Sequence, residues 1–377
     1  MIPVLYPATE RTFSNNGLGG LPDALSCTVT NELNTVGGYF LEMEYPINGL
    51  HFDDLVQERI IYAAPAPGKA PQPFRISRIQ KGISTATIEA PHVSAGLQKI
   101  VTRGSISTKW PGLVIDHFLE NAVPASEAAK WTRSPTSHST TDGKLVRFLE
   151  PVPLMDVLMG TEGSVLDQYG GEYEFDGWSI KLYASIGTDT GLEIRRGVNI
   201  TDISAETDDS NLVTAVLPYY KGTQNNGEVF VYGSVCNAPT DSNFSNVYCV
   251  PLDVTGSFQN LTAGTIPAAA QVTAAGKSFV NSTSANKLLT SFSISFTPSA
   301  LTAPDSGAIR VRNVYLGDTV RVVYPEFGVS ANAKVVKTEY NVLLDRYDSV
   351  TIGSIRRNAA DTVAAIIKNT GNQKILW

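Results

Sequence analysis

Along much of the chain apolar and polar positions alternate with a period of two, the pattern of strands that bury one face. Leu25–Thr30, Gly38–Tyr45, Arg59–Tyr62, Phe74–Ile79 and Thr85–Glu89 read this way, separated by Gly, Pro and Asn. They predict a small antiparallel barrel or sandwich over residues 1–95, with the proline-rich Ala64–Pro73 as a stiff loop inside it. After His92 the spacing changes to three and four. Ser94–Val101, Leu113–Asn121 (behind Pro111) and Pro153–Met159 therefore predict short helices, the last extending toward Leu166.

Alternation returns in the most patterned stretch. Glu172–Phe175 and Trp178–Tyr183 flank Asp176-Gly177, a pair that accepts positive φ, so they predict a hairpin with one greasy face. Leu192–Arg195 and Leu212–Leu217 read as further strands, the second stopped by Pro218. Residues 96–190 then form an α+β insert. Residues 223–305 are richer in Asn, Ser, Thr and Ala; Ile266–Ala275 starts a helix there, Leu289–Phe296 reads as a strand, and Tyr232–Asn246 as a long exposed loop. A last strand-rich block covers Ile309–Val311, Leu316–Tyr324, Ala333–Tyr340 and Ser349–Ile352, before a helix over Asp361–Lys368 in a C-terminal segment 358–377. Arg59–Glu89 and Val320–Ile352 follow the same order of strand, proline loop and strands. The rhyme marks Val320–Ile352 as a counterpart of the first module; the strands of 191–222 and 306–357 are read together as that second module, with 223–305 inserted as a second α+β domain.

The order Gly170-Gly171-Glu172, Asp176-Gly177, Gly191, Arg195-x-Gly197-x-Asn199, then Asp209-Ser210-Asn211-Leu212-Val213-Thr214, Pro218 and Gly222 resembles the hub part of phage and prophage tail proteins, the prophage endopeptidase tail or tail-associated lysin group. That group is similar to the central hub of contractile-phage baseplates. The resemblance implies a mainly β fold with α+β inserts, built from two tail-tube-like antiparallel β-barrel domains and two smaller α+β domains. It implies a structural protein of the tail tip, made in the host cytoplasm: a homotrimer whose two barrels per chain imitate sixfold symmetry. Its implied partners are tail-tube and distal tail proteins, the tape-measure protein, and tip, spike or lysin proteins, with DNA passing through without specific binding. The peptidase activity in the group's name belongs, by the same resemblance, to an additional C-terminal region. The hub itself is then not an enzyme, and a tail-associated cell-wall hydrolase is the alternative.

Composition narrows the remaining choices. A length of 377 residues predicts two to four domains, and a net charge of −7 supplies no basic field for gripping phosphates. Cys27, Cys236 and Cys249 have no metal-ligand spacing and read as free thiols, although Cys236 and Cys249 could meet across a hairpin. No apolar run is long enough to span a membrane, and no cationic start with an apolar core opens the chain. Gly276-Lys277-Ser278 imitates the end of a phosphate loop but lacks its first glycine. His51, His92, His117 and His138 are scattered, and Asp53-Asp54, Glu172/Glu174 and Asp208-Asp209 read as solvated or capping carboxylates before an acid–base pair. Trp110, Trp131 and Trp178 are the candidates for a carbohydrate platform, with core packing the alternative for each. No catalytic residue, metal or cofactor is expected.

Overall fold

The computed structural model describes residues 1–195, 202–208, 214–224, 227–237, 246–258, 265–282, 289–295, 314–324 and 329–353. Strands predominate, and the chain divides into a unit of Met1–Ala205 with Ser291–Ile355 and a second unit centred on Glu206–Thr290.

The first unit opens with β1 (Val4–Tyr6), β2 (Gly19–Gly20), β3 (Ser26–Glu32), β4 (Tyr39–Pro46), β5 (Ile60–Ala63), β6 (Gln72–Arg75), β7 (Arg78–Lys81) and β8 (Thr85–Pro91). The Phe74–Ile79 pattern is thus two strands. Ile76-Ser77 breaks the run, so β6 pairs with β5 in a four-stranded sheet while β7 pairs with β8 in another. The insert contains β9 (Val101–Thr108), α1 (Pro111–Glu120), α2 (Ala125–Ala128), β10 (Thr132–Arg133), β11 (Lys144–Pro153), α3 (Leu154–Leu158), α4 (Val165–Tyr169), β12 (Glu172–Asp176) and β13 (Ser179–Tyr183). The helix expected at Ser94–Val101 is a 3-10 segment, Val93–Lys99, capped by His92. The helix at Pro153 stops at Leu158 because Met159 is extended and Gly160 takes φ +93°; α4 starts afresh from the Ser164 cap. Val114, Ile115 and Phe118 of α1 pack with Leu154, Leu158, Leu166 and Ile180 in the insert's own core.

β14 (Asp189–Arg195) and β15 (Asp202–Asp208) lead to the second unit. There β16 (Ala215–Gln224), β17 (Gly227–Tyr232), β18 (Cys236–Asn237) and β19 (Cys249–Asp253) make a four-stranded sheet, with α5 (Ala269–Ser282) packing through Val272 and Val280 onto Val216, Cys236 and Leu252. β16 runs between β18 and β19, so Cys236 and Cys249 lie on opposite sides of it and are not partners across a hairpin; all three cysteines are free thiols. Gly276-Lys277-Ser278 lies inside α5, where no phosphate loop can form.

Back in the first unit, β20 (Leu289–Ser295), β21 (Thr319–Tyr324), β22 (Val329–Asn341) and β23 (Arg346–Gly353) complete a ten-stranded sheet in the order β15-β20-β23-β22-β3-β4-β8-β7, with β14 paired to β21 and β21 to β22. Among the described residues this path stays open and does not close into a barrel. β22 is its seam. Residues 329–334 pair with β21 and, beyond a register shift at Val336, residues 337–341 pair with β3 on the same flank, while β23 occupies the other. The freed Val336 carbonyl accepts from the Leu33 amide at 2.8 Å, so the bulge leaves it satisfied. N-terminal and C-terminal strands therefore share one core: Cys27, Val29, Leu41, Met43 and Ile88 pack with Val320, Val335, Tyr340 and Ile352. The opposite face carries Thr28, Glu42, Glu44, Thr87, Glu89 and Arg78, as strand alternation requires. Asp361–Lys368, Ile309–Val311 and the loop residues 238–245 lie outside the described residues.

Candidate functional site: a hairpin clamped to the central sheet

The β12–β13 hairpin expected from Asp176-Gly177 forms with Asp176 opposite Ser179, and Gly177 at φ +54° makes the turn. At its other end α4 finishes on Gly170 (φ +65°). Gly171 follows at φ +99°, where a Cβ would stand 2.5 Å from the Tyr183 carbonyl oxygen. Only glycine allows this close return of the chain.

Three residues distant in sequence hold the hairpin. Asn34, at φ +54° in the β3–β4 turn, donates from Nδ2 to the Gly171 carbonyl at 3.0 Å and accepts at Oδ1 from the Tyr173 amide at 2.9 Å. Gln72 repeats the device at the turn: Nε2 donates to Asp176 Oδ1 at 2.9 Å and Oε1 accepts from the Gly177 amide at 2.8 Å. In both, one side-chain amide imitates a strand's paired N–H and C=O. Lys334 of β22 places Nζ 2.6 Å from each oxygen of the buried Glu172 carboxylate, which also accepts from the Ile186 amide at 2.6 Å. Next to the turn, Trp178 stacks on Phe13 (6.2 Å), which stacks on Tyr62 (4.2 Å), and the Arg11 guanidinium lies 4.5 Å over the indole. The insert is thus fastened to both the N-terminal strands and β22.

The carboxylates are committed to this framework. Glu172 and Glu174 stand two apart on one face of β12: the first meets Lys334, the second Lys181 at 3.0 Å. The hydrogen bond from Gln72, with Lys181 beside it, holds the Asp176 carboxyl below the usual range. Asp54 is lowered mainly by Arg59 at 2.7 Å and also meets His51, while Asp53 lies beside it in a 3-10 turn. Asp209 lies outside the described residues. His92 is fully buried against Tyr39 and Phe74 with Nε2 unpartnered, and burial drops its pKa to about 3. Among the described residues no three of His, Cys, Asp and Glu come together as metal ligands. A cavity of about 270 Å³ lies under the hairpin, bordered by Asn34, Tyr39, Gln72, Met155, Tyr173 and Tyr315. Of the tryptophans, Trp131 is in the insert core, Trp178 is under Arg11, and Trp110 is exposed.

The structure therefore gathers Gly170, Gly171, Glu172, Asp176 and Gly177 on one hairpin. Gly191 sits in β14, its amide donating to Asp189 Oδ1 at 3.0 Å, and Arg195 ends that strand. Thr214, buried, accepts at Oγ1 from the Tyr248 amide at 2.8 Å, and Pro218 and Gly222 lie in β16. Gly197, Asn199, Ser210, Asn211, Leu212 and Val213 lie outside the described residues. Sequence reasoning missed Asn34, Gln72 and Lys334, which stand more than a hundred residues from their partners.

No protein-family model and no curated protein matches the sequence. Solved structures do match over nearly the whole chain. Prophage tail protein gp18 from Listeria monocytogenes is 15% identical with a TM-score of 0.59, covering 98% of this chain and 99% of that one. The 43 kDa tail protein of prophage MuSo2 from Shewanella oneidensis is 12% identical with a TM-score of 0.58, covering 96% and 100%. A tail protein from Neisseria meningitidis is 8% identical with a TM-score of 0.53, covering 96% and 98%. Mainly β among the described residues, with one sheet that joins N-terminal and C-terminal strands, this protein has the fold of prophage tail proteins.

Proposed function

We propose that the chain is a structural protein of a phage or prophage tail tip, a trimeric hub whose ring joins the tail tube to the baseplate or tip around the DNA passage. The observation that carries this reading is the ten-stranded sheet. It joins an N-terminal and a C-terminal set of strands edge to edge through β22 and β3, and turns a polar face rich in carboxylates away from the shared core. Two strand sets per chain in threefold arrangement make six, matching a hexameric tube without a symmetry break. Open sheet ends become closed once three copies meet, giving each chain the curved walls of two tube-like modules. Carboxylates on the wall let a polyanion pass without holding it. The tail tube, distal tail, tape-measure and tip or spike proteins are its partners in this reading, the tail tip is its location, and the work is structural. Light scattering of the full chain tests it: a mass three times the 40.5 kDa chain is expected, and a monomer at high concentration overturns it.

A further inference from the structure

The two ends of the ten-stranded sheet differ. At one end the β3–β4 turn is occupied, because Asn34 holds the hairpin of the insert there. At the other end lie the approach to β3, the loop after β4, the β7–β8 turn and the β22–β23 turn, as the pairs Ser26↔Glu44, Pro46↔Thr85, Lys81↔Ala86 and Asn341↔Arg346 require. Each of these four carries an exposed aliphatic side chain: Leu25, then Ile47 and Leu50, then Ile83 at 99% exposure, then Leu344 at 58%. Hydrogen bonds keep neighbours together, since the Ile47 amide donates to the Ser84 carbonyl at 3.0 Å and the Leu50 amide to Asp23 Oδ2 at 2.7 Å. Connections at a solvent-facing sheet end ordinarily carry polar residues, and an apolar one on each of four neighbouring connections is the pattern of a protein-binding surface.

We propose that this aliphatic end of the sheet is the axial docking face of the hub, and that its occupant is a different tail protein, apolar at the centre of its contact and basic around it. The charges beside the rim select that occupant. Asp23, Glu44, Asp53 and Asp345 lie on or next to these connections, against Lys81, whose ammonium lies 5.2 Å over the Phe52 ring, and the N-terminal ammonium, 2.8 Å from the Val342 carbonyl. Arg346 is paired with Asp348, so the balance is acidic. A second copy placed face to face would bring like charges together, whereas a basic periphery complements them. The inference rests on the trimeric-hub reading and adds to it a polarity: the insert end of the sheet points away from this neighbour.

Two measurements on the full chain assembled into tails test it. A photo-cross-linking residue at Ile83, and as control at Leu149 on the insert, is irradiated in assembled particles and the adducts are identified by mass. The expected adduct from Ile83 is to a chain of different sequence, with none to that protein from Leu149; an Ile83 adduct to a second copy of this chain, or no adduct in complete tails, overturns the proposal. In parallel, the variant I83D/L344D is expected to keep the circular dichroism and solution mass of the parent while its incorporation into tails falls at least roughly tenfold, since each buried aliphatic side chain is worth about that much or more. Normal incorporation of this variant sinks the docking face alone. Failure of the parent chain to form a trimer sinks the hub reading instead.

Discussion

Replacing Lys334 with Met removes the ammonium that lies against both oxygens of Glu172 and leaves a buried carboxylate without its counter-ion. Such a loss costs about 3 kcal/mol, read as a lower midpoint in denaturant unfolding, and K334M/E172L should recover most of it because no charge then stays buried. His92 argues from the opposite direction. Its folded pKa of about 3 lies below the ordinary 6.5, so between those values the unfolded chain binds the proton that the folded one refuses. Stability is therefore complete above pH 6.5 and lost as pH falls toward 3, by a total on the order of 5 kcal/mol. In H92Q the slope of unfolding free energy against pH over that window should flatten; an unchanged slope would assign it to other groups. The cysteines differ in the same physical terms. Burial pushes the Cys27 thiol up to about 12 and raises Cys236, whereas Cys249 is exposed. One thiol should react with a chromogenic disulfide at once and two only on unfolding.

At the scale of elements, the hairpin separates two glycine roles. Gly171→Ala meets both an unfavourable φ and the Tyr183 carbonyl, and should cost more than about 2 kcal/mol, while Gly177→Ala, with nothing within 4 Å of its Cβ, should cost about 1 kcal/mol from backbone conformation alone. Equal losses in thermal unfolding would refute this division. The hairpin was readable because Asp176-Gly177 interrupts two alternating runs, and α1 because Pro111 starts a helical period. Phe74–Ile79 misled because alternation continues through Ile76-Ser77, and side-chain period carries no record of which sheet a strand joins. The clamps were not legible either: Asn34, Gln72 and Lys334 look like turn or surface residues until the fold brings them to the hairpin. The bulge at Val336 in the β22–β23 ladder belongs to the same class, since it falls where the other flank of β22 passes from β21 to β3, an exchange that only the assembled sheet contains.

For the whole molecule, a net charge of −7 and a sheet face bearing Glu42, Glu44 and Glu89 predict no retardation of duplex DNA even at about 50 mM salt. A retarded band that disappears by about 200 mM would reveal phosphate contacts and contradict a passive wall. Size brings another consequence through β22. Residues 26–32 find their second neighbour only when residues 337–341 arrive, and at ordinary ribosomal speeds that separation lasts on the order of tens of seconds. Throughout that interval the nascent N-terminal strands carry a bare backbone edge, the template that cross-chain aggregation uses. Yield during rapid overexpression should therefore depend on chaperone supply more than on the stability of the finished protein.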